Sequence, residues 1–259
     1  MEYFEKIEKN PYGDLLWNVP ERKQGVVNII GGNKQRFRDE VKVAEFLGVN
    51  YPLQEVKVVM PEALRGKLPD LPNFVFLPST DSGSFDESQE VLDIFGAADC
   101  NLVLGDLSKN AVTGKALASA CRSVEKMTLL TRDAVDLLAE NSPERWLMNE
   151  NIVVFGSIMQ LQKLLRAVYY PKMLLASQSL VQVSEVLHKF TLSYPVGVVT
   201  LHDGQILVAK DGTVKAVAIL SSEYSPVRFW SGELAAKIVA MNLYNPSQFI
   251  PATVCGILK

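Results

Sequence analysis

The chain has 259 residues, 48% hydrophobic and 21% charged, enough apolar material to bury the core of one large domain. Twenty-six Lys and Arg against 29 Asp and Glu leave a net charge of -3, which gives no field to draw the protein onto nucleic acid or an anionic membrane. No window reaches the roughly 18 apolar residues of a membrane span, the opening residues lack the apolar core of a signal peptide, and three cysteines with two histidines support neither a disulfide framework nor a zinc site. The expectation is a cytoplasmic protein with Cys100, Cys121 and Cys255 as small core residues.

Residues 1–19 read as an N-terminal helical extension, and the whole chain, 1–259, as a single domain. GVVNII at 25–30 opens a series of apolar runs rich in β-branched residues, followed by EVKVVM at 55–60, FVFL at 74–77 and NLVL at 101–104. MTLL at 127–130, IVVF at 152–155 and GVVTL at 197–201 continue it. Each run is nearly continuous rather than alternating, the pattern of strands covered on both faces and hence of a parallel sheet. Between them Leu117, Ala120, Cys121 and Val124 fall at i, i+3, i+4 and i+7, and Ile158, Leu161, Leu165 and Val168 repeat the helical spacing. QILVAK and VKAVAIL flank Asp211-Gly212, a two-residue hairpin signal, so the sheet is expected to end in an antiparallel edge. Strand and helix alternate, which predicts a three-layer α/β sandwich around a mainly parallel central sheet of about eight strands. Any ligand cleft belongs beyond the carboxyl ends of those strands.

Three segments carry candidate chemistry. At 20–34 a strand delivers the chain into Gly31-Gly32-Asn33, where paired glycines let backbone approach a ligand, although a plain tight turn also selects glycine. In LLTRDAVDLL at 129–138, Asp133 is either a ligand contact or, with Thr131, a helix cap. FWSGELAAKI at 229–238 opens a helix at Ser231-Gly232-Glu233, whose N–H groups could hold phosphate and whose Glu233 could serve as base; a capping Ser with an acid in the first turn explains it equally well. His188 and His202 have no identifiable orienting partner and are not nominated.

These segments resemble the NAD(P)H-hydrate dehydratase branch of the ribokinase-like superfamily over roughly residues 20–258. Arg22, Gly25 and Gly31-Gly32-Asn33 occupy places similar to the family's opening strand, and Asp133 keeps the second position of its acidic motif while Thr131 replaces the first. Ser231-Gly232-Glu233 looks like the family's Gly-Thr/Ser-Gly-Asp helix start, with Glu for the catalytic Asp. The resemblance implies a ribokinase-like fold, ADP or ATP with Mg as cofactor, and Glu233 as catalytic base. It also implies Ser231, Gly232 and Gly105 as nucleotide-binding residues, Gly31, Gly32, Asn33, Asp133 and Gly156 as substrate-binding residues, and no resident metal ligands.

Much of the family signature is altered. VVFGSIMQL at 153–161 stands where relatives carry Thr-Pro-His-Pro-Gly-Glu, leaving Gln160 as at best a neutral replacement, and Leu201 stands where a nucleotide-side Lys is expected. Asp106 falls in the loop that is Gly-Pro-Gly in relatives, where it would repel phosphate, and the bulky Phe229-Trp230 pair precedes the helix start. Two readings follow. One is a divergent dehydratase-like protein with weak or lost nucleotide-dependent activity, retaining the sheet as a binding or homo-oligomeric module. The other is an active ADP- or ATP-dependent lyase, or a small-molecule kinase of the same superfamily for which Lys210 or Arg228 would have to hold phosphate.

Overall fold

The computed structural model describes residues 2–69, 71–218 and 229–259. Ten strands form one sheet: β1 (Phe4–Ile7), β2 (Val26–Gly31), β3 (Glu55–Pro61), β4 (Phe74–Leu77), β5 (Cys100–Gly105), β6 (Met127–Thr131), β7 (Ile152–Phe155), β8 (Gly197–His202), β9 (Gln205–Lys210) and β10 (Thr213–Ala218). Their order across the sheet is β1-β10-β9-β8-β7-β6-β5-β2-β3-β4. β2 to β8 pair in parallel, and among the described residues β9 alone runs against the rest.

The helices are α1 (Arg38–Asn50), α2 (Gln89–Gly96), α3 (Ala111–Ser123), α4 (Asp133–Ala139), α5 (Pro143–Trp146), α6 (Ile158–Ala167), α7 (Leu180–Ser193), α8 (Glu233–Tyr244) and α9 (Phe249–Leu258). Successive strand residues point to opposite faces, and here both faces are covered. Ile30, Val103, Leu130 and Val154 enter one apolar cluster with residues of α2 to α7, whereas their neighbours Ile29, Leu102, Leu129 and Val153 enter a second cluster with α1, α8 and α9. That double burial is why the strands read as unbroken apolar runs. The two predicted helical stripes face inwards as expected, and Leu234, Ile238 and Met241 of α8 are buried as well. The three cysteines are free and buried, and burial pushes the Cys100 and Cys121 thiols up to about 12.

Two expectations are corrected. Residues 1–19 do not form a helical extension: they supply strand β1 and then a single 3-10 turn at Gly13–Asn18. The sheet does not end in the antiparallel hairpin either, because β1 adds in parallel outside β10. FEKI escapes detection because an edge strand with two exposed charged residues has no apolar run to read. Both hairpin turns are Asp-Gly, Asp203-Gly204 and Asp211-Gly212, with all four residues at positive φ, which matches the strand twist. Gly212 has φ +75, and a Cβ there would stand 2.7 Å from Leu192 Cδ2. Gly212→Ala should therefore cost about 1–2 kcal/mol, read as a lower urea midpoint at unchanged slope.

Among the described residues no helix is long and apolar enough to cross a membrane.

Candidate functional site

Parallel strands release the chain at their carboxyl ends, and β2, β5 and β6 do so side by side. β2 shifts register between Ile30 and Gly31, which brings Gly31 opposite Gly105 of β5. The loops that follow are tied together: the Gly32 N–H donates to the Gly105 carbonyl at 3.1 Å, and Asn33 Nδ2 donates to the Asp106 carbonyl. Gly105 has φ +107, and a Cβ on it would meet Asp133 Oδ1 at 2.6 Å. Glycine is needed here for close packing of three chain segments.

Asp133 is the first residue of α4, and its Oδ2 accepts from the Leu107 N–H at 3.1 Å. The Thr131 hydroxyl donates to the Leu104 carbonyl at 2.7 Å, so neither residue caps α4; both hold the β5 loop. Burial, with the nearby Asp106 charge, holds the Asp133 carboxyl above its usual range.

The residue between them organises the site. Arg132 sits at φ 53, ψ -134, a backbone region favoured by glycine. Its Nε donates to the Trp230 carbonyl at 2.9 Å and Nη1 to Asp106 Oδ2 at 3.1 Å. Nη2 reaches Asp39 Oδ2 at 2.7 Å and the Ser231 carbonyl at 3.2 Å. Arg132 thus joins the starts of α1, α4 and α8. Arg36 makes a looser pair with the other Asp106 oxygen at 3.8 Å. A cleft of about 950 Å³ opens over this network, lined by residues 35–39 with Asp106, Arg132, Asp133, Trp230 and Ser231.

Beneath the cleft lies Glu40, in the first turn of α1. It is fully buried, no other residue bonds either carboxyl oxygen, and burial, partly offset by its own backbone N–H, pushes its carboxyl up to about 8. Burial favours the neutral carboxylic acid over the carboxylate.

Gly31, Gly32, Asn33, Gly105 and Asp133 lie together at the strand ends, but of the expected site residues Asp133 and Ser231 line the cleft, whereas Gly31, Gly32, Asn33, Gly105 and Gly232 are outside its lining. Gly156 does not join them: its neighbours are Gln160 and Val135. Gln160 closes a capping box with Ser157 and donates to the Arg132 carbonyl at 2.6 Å and to Asp136 at 2.7 Å. Ser231-Gly232-Glu233 does begin a helix, with Gly232 as N-cap at φ 99. Glu233, expected as the one acid placed for proton transfer, is exposed and outside the cleft lining, where Asp39, Asp106 and Asp133 stand instead. Lys210 is at the other end of the sheet, donating to the Glu150 and Pro195 carbonyls. Arg228 lies outside the described residues. His202 bonds the Gln178 carbonyl at 2.8 Å and His188 stacks on Tyr3, both structural uses.

Sequence reading missed Arg132, Asp39 and Glu40. Arg132 and Asp39 carry no signal, since charged residues beside helix starts look solvated. Glu40 did leave one: it stands at the first position of the stripe continued by Val43, Ala44 and Leu47, all buried.

A hypothetical protein of Streptococcus mutans superposes on the chain with a TM-score of 0.69 at 13% identity, over 97% of this chain and 88% of that one. The fold is ribokinase-like. The ADP/ATP-dependent NAD(P)H-hydrate dehydratase of Bacillus subtilis, co-crystallized with ATP/Mg2+, matches with a TM-score of 0.61 at 10% identity, over 97% of this chain and 86% of that one. Bacillus subtilis pyridoxal kinase, in an ADP complex, matches at 0.52 and 10%, over 90% and 89%. No family model matches the sequence, and no curated protein matches it. Identities this low establish the ribokinase-like fold and leave the chemistry to be argued from the site.

Proposed function

We propose that the chain is a divergent NAD(P)H-hydrate dehydratase-like protein whose cleft binds a small molecule and whose nucleotide-dependent activity is weak or lost. The observation that carries this reading is the state of Arg132. Four of its five N–H donors are committed to Asp39, Asp106 and the Trp230 and Ser231 carbonyls. The cation nearest the α8 N-terminus is thus spent inside the protein.

The other residues at this end agree. A polyphosphate brought to the β5 loop would meet Asp106 and Asp133, both acids, at the strand end where Arg132 is already engaged. Phe229 is buried and stacks on Phe155 with ring centroids 4.6 Å apart, and Trp230 packs edge-on against both rings, so the aromatic pair is fixed in front of α8. Asp106, Asp133 and the engaged Arg132 oppose tight binding of ADP or ATP, and the remaining cations of the cleft lining, Arg36 and Arg38, are exposed.

A thermal-shift titration with ADP and ATP, each with Mg²⁺, tests the reading. Ligand at 100 times its dissociation constant adds about 2.7 kcal/mol, so a low-micromolar binder would raise Tm by several degrees at sub-millimolar nucleotide. No such shift is expected, nor any nucleotide-dependent conversion of hydrated NADH to NADH. A low-micromolar dissociation constant, or that conversion, restores the active lyase; phosphorylation of a small alcohol restores the kinase.

A further inference from the structure

Glu40, buried beneath the cleft and outside its lining, is an acid that the proposed function does not use. A Cβ on Gly31 would stand 2.6 Å from Glu40 Oε1 and 2.6 Å from the Gly105 carbonyl oxygen, so both oxygens border the space beside Gly31. The Gly105 oxygen is also the acceptor for the Gly32 N–H. With Asn33 bonding the Asp106 carbonyl, this contact latches the loop after β2 to the loop after β5. Because both oxygens border that one space, a protonated Glu40 stands near the Gly105 carbonyl as a donor, and an ionised one places a negative charge near it. Little relieves that charge locally, since Glu40 is fully buried and no other residue bonds its oxygens; its own backbone N–H is the nearest donor.

We propose that Glu40 is a proton switch: its ionisation releases the Gly32–Gly105 latch and loosens the loops beneath the cleft. The charged groups acting on Glu40 are Asp106 after β5, Arg132 before α4 and Asp39 on its own helix. Asp106 and Asp39 oppose its ionisation and Arg132 favours it. Arg132 already bridges those two aspartates, so it has little left to compensate a third negative charge. The surfaces of β2, β3 and α8 that pack against α1 are apolar, among them Ile29, Val58, Met60 and Ile238. Gly232, which starts α8, sits against Val43 of α1 and Leu104 of β5, so movement of α1's first turn carries to the helix start that borders the cleft. The inference is independent of what the cleft binds.

The test is a pH titration of isotope-labelled full-length protein by NMR between pH 6 and 9.5, following the Glu40 side-chain carboxyl carbon and the Gly32 and Leu107 amides. Expected is one shared midpoint near 8 for the Glu40 carbon and the Gly32 amide, with the Gly32 amide also exchanging faster with solvent above it. In Glu40→Gln, which keeps the shape and cannot ionise, the Gly32 change should vanish. The carboxyl carbon in the unmutated protein keeps the test decisive even should Glu40→Gln fold poorly. A Glu40 carbon that titrates while Gly32 stays still overturns the latch. A Gly32 change that survives in Glu40→Gln, or a Glu40 already ionised at pH 6, overturns the switch.

Discussion

Arg132→Ala should lower the stability of the protein by about 2–4 kcal/mol, because it removes the common partner of groups that are partly or largely screened from water. Asp106, whose side chain is 13% exposed, would be left facing Asp39 with only the distant Arg36 to offset it. The Trp230 and Ser231 carbonyls would lose their donor at the same time. Arg132→Lys should recover less than half of the loss, since an ammonium cannot reach four acceptors spread around a planar fork. Arg132→Gly should do better than Arg132→Ala by roughly 1 kcal/mol, since it relieves the positive φ while deleting the same contacts. Urea denaturation of the three variants side by side checks this. Equal midpoints for alanine and the unmutated protein would show that the four contacts contribute nothing net. The electrostatic consequence is separate: Arg132 holds down the pKa of both Glu40 and Asp133, so both should titrate higher in Arg132→Ala.

The sheet was legible in the sequence because its strands are buried on both faces. A run such as IVVF at 152–155 has no solvent-facing position to interrupt it, and all four residues are buried. The helical stripes were legible for the same physical reason in a different period. What lay beyond reach was β1, a charged edge strand whose partner β10 is more than 200 residues away in sequence. The candidate site divides along a similar line. Gly31, Gly32, Gly105 and Asp133 declare themselves by sitting at strand ends, where glycine and short acids are the residues that close packing selects. Arg132 works through partners on three other segments, from Asp39 to Ser231, and no local pattern encodes such a meeting. Glu233 shows the reverse error. Its motif is where the resemblance places it, at the first turn of a helix, yet the side chain is exposed while Asp39 and Asp106 take the cleft.

Glu40 should make the protein less stable as pH rises from about 4.5 to about 8, and Glu40→Gln should abolish that part of the decline. Burial holds its folded-state value near 8 against an ordinary 4.5. Below pH 4.5 folded and unfolded chains both keep the proton, and ionisation imposes no penalty. Between the two values the unfolded chain releases its proton and the folded one retains it, so unfolding gains about 1.4 kcal/mol per pH unit from this residue. Above 8 both forms are ionised and the loss levels off. The full interval corresponds to roughly 5 kcal/mol, and on the order of 3 kcal/mol once relaxation of the first turn of α1 softens the burial. Asp133, also held above its usual range by burial, adds a slope of the same sign starting from lower pH, and it remains in the variant. The quantity to measure is therefore the difference in unfolding free energy between Glu40→Gln and the unmutated protein, from urea melts at pH 5, 6, 7, 8 and 9. It should grow in favour of the glutamine variant up to pH 8 and then flatten. Parallel curves at every pH would mean that Glu40 keeps an ordinary carboxylate pKa in the folded protein, and that its burial is offset by a partner.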